Sequence, residues 1–568
     1  MNPKKTLLAT VSAFLACASP AIAQAWPEIF DPLVLRTLNL QMSDADWQTI
    51  QHDETFDIEV PTMLWLDGEA PILVSIRRKS ADPLTAAPGY DKVSYKIDIN
   101  ELVSGQNWHG LRAVSLDNGD DQDVVSEGLA WYLHRQASVP EGYGYNAGLA
   151  SWVRLVINGV DTGVYVNAEQ RDKRFLENRG LWVEDETWLY EVEDLQGFEL
   201  DEGEGDSPTF QTLCYSPFAS PSSCPTPDAA TLAAVVPSLV DMRGLLALAA
   251  VDAFSVNPDA IFTHGKNFYF ADFLSGLRLH FPWDLDSAMG GGGQNQNVYA
   301  TGSAYSQILL AVPEFRAQYS QILNDLVCGP FQEAPLHAFL DALEPVLSAA
   351  LAADPNNQLG DQSVAEFFDA RRSWFSQRLA SVTSQIEGFV PCSNAPGSAM
   401  CVPGVAGVIA CPCANPNGPG VGCANTASAG AGLTASGVAS LASDSVDPGS
   451  VVLTGSGMFA GSTCVFLQGD AALVSGTPFG AGVRCVGGTL RRLYTKSLVG
   501  AGGTQSAPQA SDRSISTRSA DLGGPIGPGT QRWYQVYYRD PTLANPGGSC
   551  PAIASFNLTS GWRILWTP

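Results

Sequence analysis

The stretch Asn257-Pro258-Asp259, followed by Lys266-Asn267-Phe268-Tyr269-Phe270 and then by Phe281-Pro282-Trp283-Asp284-Leu285-Asp286, decides how this chain is interpreted. The two apolar runs are typical of strands, and their ends carry the polar residues. Asp259 and Asp284 are carboxylates, and Asn267 is an amide. A magnesium–nucleotide site needs an acid that orients the nucleophile, and a carboxylate and an amide that hold the metal. The stretch therefore predicts such a site.

Asp286 extends this predicted site. It lies two residues after Asp284, so in an extended chain both carboxylates point to the same side, which suits a divalent cation. Each has a structural alternative, because Asp284 can cap a turn and Asp286 can cap a helix that starts near Ser287. Asn257 is an alternative polar residue in the same loop.

A lysine on a separate predicted strand is the candidate cation. In Ser94-Tyr95-Lys96-Ile97-Asp98-Ile99 the apolar residues alternate with Ser94, Lys96 and Asp98, so Lys96 lies on the polar face. A lone strand lysine is usually a solvated charge at an edge. The residues alone leave both interpretations open.

Six blocks in order along the chain resemble the CotH (spore coat protein H) kinase family. Together they run from about residue 36 to about residue 390. The blocks are Leu38-Asn39-Leu40 with Asp44-Ala45-Asp46-Trp47, Leu66-Asp67-Gly68 through Ile76-Arg77-Arg78-Lys79, Ser94 through Ile99, Leu116-Asp117 through Glu127-Gly128-Leu129-Ala130, Gly163-Val164-Tyr165-Val166-Asn167-Ala168-Glu169-Gln170, and Pro282-Trp283-Asp284-Leu285-Asp286.

The resemblance implies an atypical protein-kinase-like fold that uses ATP with Mg²⁺ or Mn²⁺. It implies that Asp284 binds metal as the kinase DFG aspartate does, with Asn267 and Asp286 as further ligands. Asp259 would orient or deprotonate the acceptor hydroxyl, and Lys96 would contact the ATP phosphates. The acidic partner of Lys96 would be Glu127 or Glu169, and Glu127 is preferred.

Length predicts two or more domains, since a chain of 568 residues is longer than the chains that form one hydrophobic core. We expect a signal peptide at 1–23, a kinase-like α+β domain at 24–390, a linker rich in Cys, Gly and Pro at 391–430, and a β-sandwich at 431–568. The clearest strands of the last part begin at Val451, Cys464, Trp533 and Trp562.

Three elements of the α+β region are predicted from periodicity. Apolar residues at helical spacing predict helices over Asp120 to Gln136 and over Val364 to Ile386. Alternating residues around Asn158-Gly159 predict a hairpin over Ser151 to Gln170.

The first residues predict export from the cytoplasm. Lys4-Lys5 precedes an apolar run and the small residues before Gln24, so we expect cleavage near Ala23 and a periplasmic, cell-surface or secreted protein. No later segment is expected to span a membrane. The oligomeric state is left open.

Cysteine usage agrees with an oxidising compartment. Of 12 cysteines, 11 remain after the signal peptide, so at least one is free or pairs between molecules. The spacings Cys214 to Cys224 and Cys464 to Cys485 suggest disulfides. The group Cys401, Cys411, Cys413 and Cys423 lacks regular zinc-site spacing, so disulfides are favoured over a metal cluster.

The net charge of −27 disfavours nucleic-acid binding. Together with the resemblance, these features predict a secreted kinase that transfers the γ-phosphoryl group of ATP to Ser or Thr of a secreted or cell-surface protein. The alternative is a non-catalytic extracellular adhesion protein on the same scaffold, since fold does not determine function.

Overall fold

The computed structural model of the protein describes residues 27–79, 84–87, 90–120, 123–138, 145–194, 197–213, 218, 228–274, 276–290, 293–354, 356–389, 392, 396–405, 408–498, 503–540 and 555–566. The predicted signal peptide and the predicted Cys214–Cys224 disulfide lie outside the described residues.

The N-terminal strands close into a barrel with the order β1-β2-β3-β6-β7-β9-β8. Parallel pairing of β1 with β8, with Leu38 opposite Leu155, closes the barrel. Alternate side chains fill its interior, as along β2, where Val60, Thr62, Leu64 and Leu66 are buried. The strands of this region are β1 (Arg36–Gln41), β2 (Val60–Leu66), β3 (Ile72–Arg78), β4 (Leu84–Ala87), β5 (Tyr90–Lys92), β6 (Tyr95–Asp98), β7 (Ala113–Asp117), β8 (Ala150–Ile157) and β9 (Val160–Ala168).

A four-stranded sheet with the order β11-β10-β12-β13 and a set of helices follow the barrel. This part shares a second, larger hydrophobic cluster with β8, β9 and the helix Val124–Ala137. Its strands are β10 (Thr187–Asp194), β11 (Gly197–Glu202), β12 (Phe268–Phe273) and β13 (Arg278–Pro282). The helices of the two regions are α1 (Asp44–Gln51), α2 (Val124–Ala137), α3 (Lys173–Asn178), α4 (Pro208–Thr212), α5 (Ala229–Val235), α6 (Met242–Ser255), α7 (Ala304–Leu309), α8 (Pro313–Val327), α9 (Glu333–Ala353) and α10 (Val364–Gln385).

The elements predicted from periodicity are confirmed. The predicted helices correspond to α2 and α10, and the predicted hairpin corresponds to β8 and β9. Asn158 and Gly159 both have left-handed backbone angles, with φ of 51° and 81°. Two such residues form the tight turn that matches the twist of a hairpin. The α+β class is likewise confirmed.

One helix of the described chain, α9, is long and apolar enough to cross a membrane by length and composition alone. By this measure it is an exception to the expectation that no segment after the signal peptide could span. In the structure its leucines at 336, 340, 343, 347 and 351 are buried at helical spacing. This stripe packs in the core, where α9 contacts α10 and β9.

The C-terminal part consists of antiparallel sheets. A six-stranded sheet and a three-stranded sheet share one hydrophobic cluster, and β18 pairs with β19. The four strands singled out from the sequence correspond to β16, β17, β22 and β24. The elements are β14 (Ser398–Met400), β15 (Gly432–Ser436), β16 (Val452–Ser456), β17 (Thr463–Gly469), β18 (Ala471–Phe479), β19 (Gly482–Gly487), β20 (Arg491–Ser497), β21 (Gln505–Ala507), α11 (Ile515–Asp521), β22 (Gln531–Arg539), β23 (Phe556–Leu558) and β24 (Gly561–Leu565).

The segment interpreted as a linker belongs structurally to this C-terminal part. Its strand β14 pairs with β24, with Ala399 opposite Trp562. Among the described residues, disulfides join Cys401 to Cys485 and Cys411 to Cys423 within the region, and Cys392 to Cys328 at the end of α8. The preference for disulfides over a metal cluster is therefore confirmed.

The suggested pairing of Cys464 with Cys485 is wrong. Cys485 bonds to Cys401 and packs in a small cluster with Cys423 and Val483. Cys464 is a buried free thiol in the main C-terminal cluster. The two sulfurs point into different clusters, so sequence spacing did not reflect spatial proximity.

Candidate active site

The β12–β13 hairpin brings Asn267 and Asp284 together. Asn267 precedes β12 and Asp284 follows β13, and the pairing of Phe268 with Pro282 aligns their positions. The Asn267 side chain donates a hydrogen bond from Nδ2 to Asp284 Oδ2 at 3.3 Å. Both residues have left-handed backbones, with φ of 58° and 50°, a conformation that Asn and Asp tolerate better than most residues. Two of the predicted metal-site residues are thus in contact.

Asp259 lies beside the same hairpin. Its carboxylate contacts Lys266 Nζ at 2.8 Å and His264 Nδ1 at 2.8 Å, and it accepts a hydrogen bond from Ser287 Oγ at 3.4 Å. Burial favours a higher pKa for Asp259, but Lys266 and His264 outweigh it and lower the pKa. Asp259 is therefore ionised at neutral pH, as a residue that orients a hydroxyl must be.

Lys266 lies between Asp259 and the segment Asp284-Leu285-Asp286, which we call the acidic turn. Its hydrogen bond to Asp259 raises the pKa of its ammonium, and Asp284 and Asp286 raise it further. Asn257, the alternative residue in the loop, is buried and its Oδ1 accepts from the Asp259 backbone N–H at 3.0 Å. Asn257 therefore shapes the loop that carries Asp259.

Lys79 is the residue that sequence reasoning missed. It follows β3, and its Nζ lies 2.6 Å from Asp117 Oδ1 and 2.9 Å from Ser115 Oγ. The same ammonium lies 4.8 Å from the centre of the Trp283 ring, a cation–π contact. Burial lowers the pKa of Lys79, but Asp117 and then Asp284 more than compensate and raise it. Its place in the block Ile76-Arg77-Arg78-Lys79 was the available signal.

Lys96 lies on β6 opposite Arg77 of β3 and Ser115 of β7. It is close to a different acidic group, Asp172 and Asp201. Burial raises the pKa of each of these carboxyls to about 7, and Lys96 opposes that shift. The contacts to Asp117 and Trp283 are made by Lys79. A role for Lys96 on the ATP phosphates stays a prediction.

The two acidic candidates have different surroundings. Glu169 forms a two-fold ion pair with Arg179, with distances of 2.9 and 2.7 Å, and accepts from the Leu149 N–H at 3.0 Å. Glu127, on α2, is buried; its Oε1 accepts from Trp131 Nε1 at 3.4 Å, and its Oε2 has no hydrogen-bond partner in the described chain.

Glu127 lies near three other carboxylates, those of Asp117, Asp284 and Asp286. Burial raises its pKa well above the usual value, and Asp117, Asp286 and Asp284 raise it further, while Lys79 opposes them. Lys79 forms its ion pair with Asp117 rather than with Glu127, and within the described residues Glu127 Oε2 accepts no hydrogen bond.

Arg171 holds the start of the acidic turn in place. Its guanidinium is fully buried, donates to the Glu169 carbonyl and donates from Nη2 to the Pro282 carbonyl at 2.9 Å. It lies 4.9 Å from the ring centre of Trp131 and 5.3 Å from that of Trp283. Trp131 lies one helical turn after Glu127, so Arg171 links α2 to the turn that carries Asp284.

The candidate active site contains carboxylate and amide oxygens, the ligand types that a hard divalent cation prefers. Within the described ranges, no three His, Cys, Asp or Glu side chains are close enough to hold a metal ion. The orphaned Oε2 of Glu127 lies near Asp117, Asp284 and Asp286. An added divalent cation would relieve this repulsion and satisfy the buried oxygen. The donor set therefore fits Mg²⁺ or Mn²⁺.

The sequence pattern of the family described as CotH kinase protein matches residues 87–382. The match covers just over half of the chain, and the chain therefore belongs to the CotH kinase family. Its mixed barrel-and-helix domain is accordingly kinase-like. A comparison with curated proteins finds no matching relative.

The two lysines can be separated by mutation. We expect Lys79→Met to raise the ATP concentration needed for half-maximal binding at least tenfold. The reason is that Lys79, beside Trp283 and Asp117, supplies the positive charge expected to contact the phosphates. Lys96→Met, the matched control, should change it less than threefold. Isothermal titration of each variant with ATP in the presence of Mn²⁺ measures both values. A larger effect of Lys96→Met would support the assignment of Lys96 made from the sequence.

Proposed function

We propose that the protein is a secreted atypical protein kinase that transfers the γ-phosphoryl group of ATP to Ser or Thr of a secreted or cell-surface protein. The observation that carries the proposal is the contact between Asn267 and Asp284 beside Lys79. An amide, a carboxylate and a cation at one point are the parts that phosphoryl transfer requires. Membership of the CotH kinase family supports the same reaction.

The reaction assigns one task to each side chain. The acceptor oxygen forms a bond to the γ-phosphorus, while the bond from that phosphorus to the bridging oxygen of ADP breaks. Asp259 orients the acceptor hydroxyl and accepts its proton, and Lys79 contacts the phosphate oxygens. Asp284, Asn267 and Asp286 would hold the metal. Bound Mg²⁺ or Mn²⁺ supplies charge neutralisation on the phosphates.

Binding and transfer are tested on the full mature chain. We expect ATP with Mn²⁺ at about one hundred times its Kd to stabilise the protein by about 2.7 kcal/mol, a rise in Tm of about 2–4 °C for a chain of this size. Label from γ-labelled ATP should appear on the protein itself or on dephosphorylated casein, an acidic Ser-rich protein. ADP with Mn²⁺ is the control for transfer, because it can bind but carries no γ-phosphoryl group.

A non-catalytic adhesion protein on the kinase-like scaffold is the second candidate. The antiparallel sheets and disulfides of the C-terminal part, which lie outside the candidate active site, favour it. It predicts no change of Tm with nucleotide and no label on any acceptor. A nucleotide-dependent rise in Tm would rule it out in its simple form.

A further inference from the structure

Arg371 on α10 joins the two sides of the candidate active site. Its Nη2 lies 2.7 Å from Asp123 Oδ2, and its Nη1 donates to the Met289 carbonyl at 3.3 Å. Asp123 immediately precedes α2, and Met289 lies five residues after Asp284. The guanidinium also lies 4.8 Å from the Phe367 ring centre. The side chains of Arg371 and Asp123 are only 16% and 5% exposed, so water screens this pair weakly.

The residue that Arg371 contacts, Asp123, is bonded to the turn of α2 that contains Glu127. Asp123 is the N-cap of α2, and its carboxylate accepts from the Ser126 N–H and from Ser126 Oγ, both at 2.7 Å. Its backbone carbonyl accepts from the Glu127 N–H at 3.2 Å. Glu127 is therefore in the turn that Asp123 caps, and a shift of Asp123 would move Glu127.

The contact with Met289 acts on the opposite side. Met289 is buried, has a left-handed backbone with φ of 60°, and donates its N–H to the Ser255 carbonyl at 2.8 Å. It lies three residues after Asp286. A guanidinium that donates to its carbonyl helps to hold this strained residue, and with it the end of the acidic turn.

Helix α10, which carries Arg371, is held in place by a second arginine. Two helical turns later on α10, Arg378 is buried and donates to four backbone carbonyls, those of Ala253, Phe254, Gln294 and Gln296. These contacts attach α10 to the end of α6 and to the segment after Met289. Arg371 therefore extends from a helix that is itself held in place by the hydrogen bonds of Arg378.

We propose that Arg371 is a positioning residue that sets the distance between Glu127 and the Asp284–Asp286 turn. A buried ion pair is weak grounds for stability in itself, and one of its uses is to select a single arrangement. Arginine suits this task because its planar fork donates in two directions, whereas lysine is a point charge. The inference rests on the proposed function, since the distance matters for a metal held between the two sides.

The test compares Arg371→Ala with Arg372→Ala. Arg372 is the next residue on the same helix but pairs with Asp341, Glu344 and Asp369 at the surface. With ATP fixed, we expect Arg371→Ala to raise the Mn²⁺ concentration for half-maximal labelling at least fivefold, and Arg372→Ala to change it less than twofold. A merely structural role would reduce the yield of active protein and leave the Mn²⁺ requirement unchanged.

Two milder variants cover the case in which Arg371→Ala does not fold. Asp123→Asn keeps a good N-cap and loses the charge pair, and Arg371→Lys keeps the charge and loses the fork. Each should raise the Mn²⁺ requirement two- to fivefold, and the double variant should show less than the product of the two effects. Independent, multiplicative effects would overturn the bridge.

Hydrogen exchange separates this inference from the proposed function. Should the wild-type protein neither bind nor transfer phosphate from ATP, the proposed function fails, and exchange still decides the role of Arg371. We expect the amides of Ser126, Glu127 and Met289 to exchange at least tenfold faster in Arg371→Lys than in Arg372→Ala. Equal exchange at these three amides would overturn the positioning role.

Discussion

Asp284→Ala is expected to reduce phosphate transfer at least a hundredfold, the loss typical of removing one preorganised electrostatic group from an active site. The carboxylate accepts from Asn267 and lies close to Lys79, Lys266 and Glu127. Its removal takes away the charge that would face the metal and leaves Lys79 and Lys266 with less compensation. Labelling with γ-labelled ATP, at equal concentrations of folded protein, measures the effect.

The backbone at Asp284 requires a special control. With φ of 50° the residue is in the left-handed region, where alanine is strained. Asp284→Asn keeps a tolerated residue and removes only the charge, so it should lose as much activity as Asp284→Ala. Asp185→Ala is the matched control for strain, because Asp185 is exposed and has φ of 60°. Normal labelling by Asp284→Asn would contradict the assigned metal role.

Asp354→Ala is expected to destabilise the protein by about 3–5 kcal/mol, the usual cost of breaking a buried ion pair. Lys92 Nζ lies 3.0 Å from Asp354 Oδ2, and neither side chain is exposed. The same carboxylate accepts from the Val164 N–H and the Asn356 N–H, both at 2.8 Å. The variant leaves a buried ammonium and two amides without their acceptor. Urea unfolding monitored by tryptophan fluorescence measures the loss.

The loss should depend on pH in a defined direction. Burial lowers the pKa of Lys92 below 10.5, and Asp354 opposes that shift, so its removal lowers the pKa further. The folded variant then binds fewer protons than the unfolded chain, and its stability rises from pH 7 toward pH 10.

Glu387→Ala is the control for the loss of stability. It breaks the exposed pair with Arg316 and should cost less than about 1 kcal/mol. A loss that small for Asp354→Ala would refute the argument.

Local patterns in the sequence predicted single elements well. The Asn158-Gly159 turn, the helix that became α2 and the helix that became α10 all depend on residues near one another in the chain, and all are present. The pairing of Asn267 with Asp284 was also foreseeable, because a hairpin brings the two ends of consecutive strands together. Such features need no knowledge of distant contacts.

The position of Lys79 beside Trp283 could not be predicted from local patterns in the sequence. Lys79 directly follows β3 and Lys96 lies on the neighbouring strand β6, and neither local segment indicates which ammonium contacts Trp283. The pairing that places Lys79 beside Asp117 of β7, together with the contact of Trp283 with Trp131 of α2, decides it. The error over Cys464 and Cys485 has the same origin, because the partner of Cys485 lies 84 residues away in sequence.

By itself the sequence determined the helices α2 and α10, the β8–β9 hairpin, the clearest C-terminal strands, the acidic residues Asp284 and Asp286 and the excess of carboxylates, since these follow from side-chain periodicity and composition. Tertiary structure alone decided which lysine lies beside Trp283, which glutamate has a buried oxygen without a hydrogen bond in the described part of the chain, and that Arg371 bridges α2 to Met289. The physical reason is that burial and charge pairing depend on distances between segments far apart in the chain, which only the packed fold establishes.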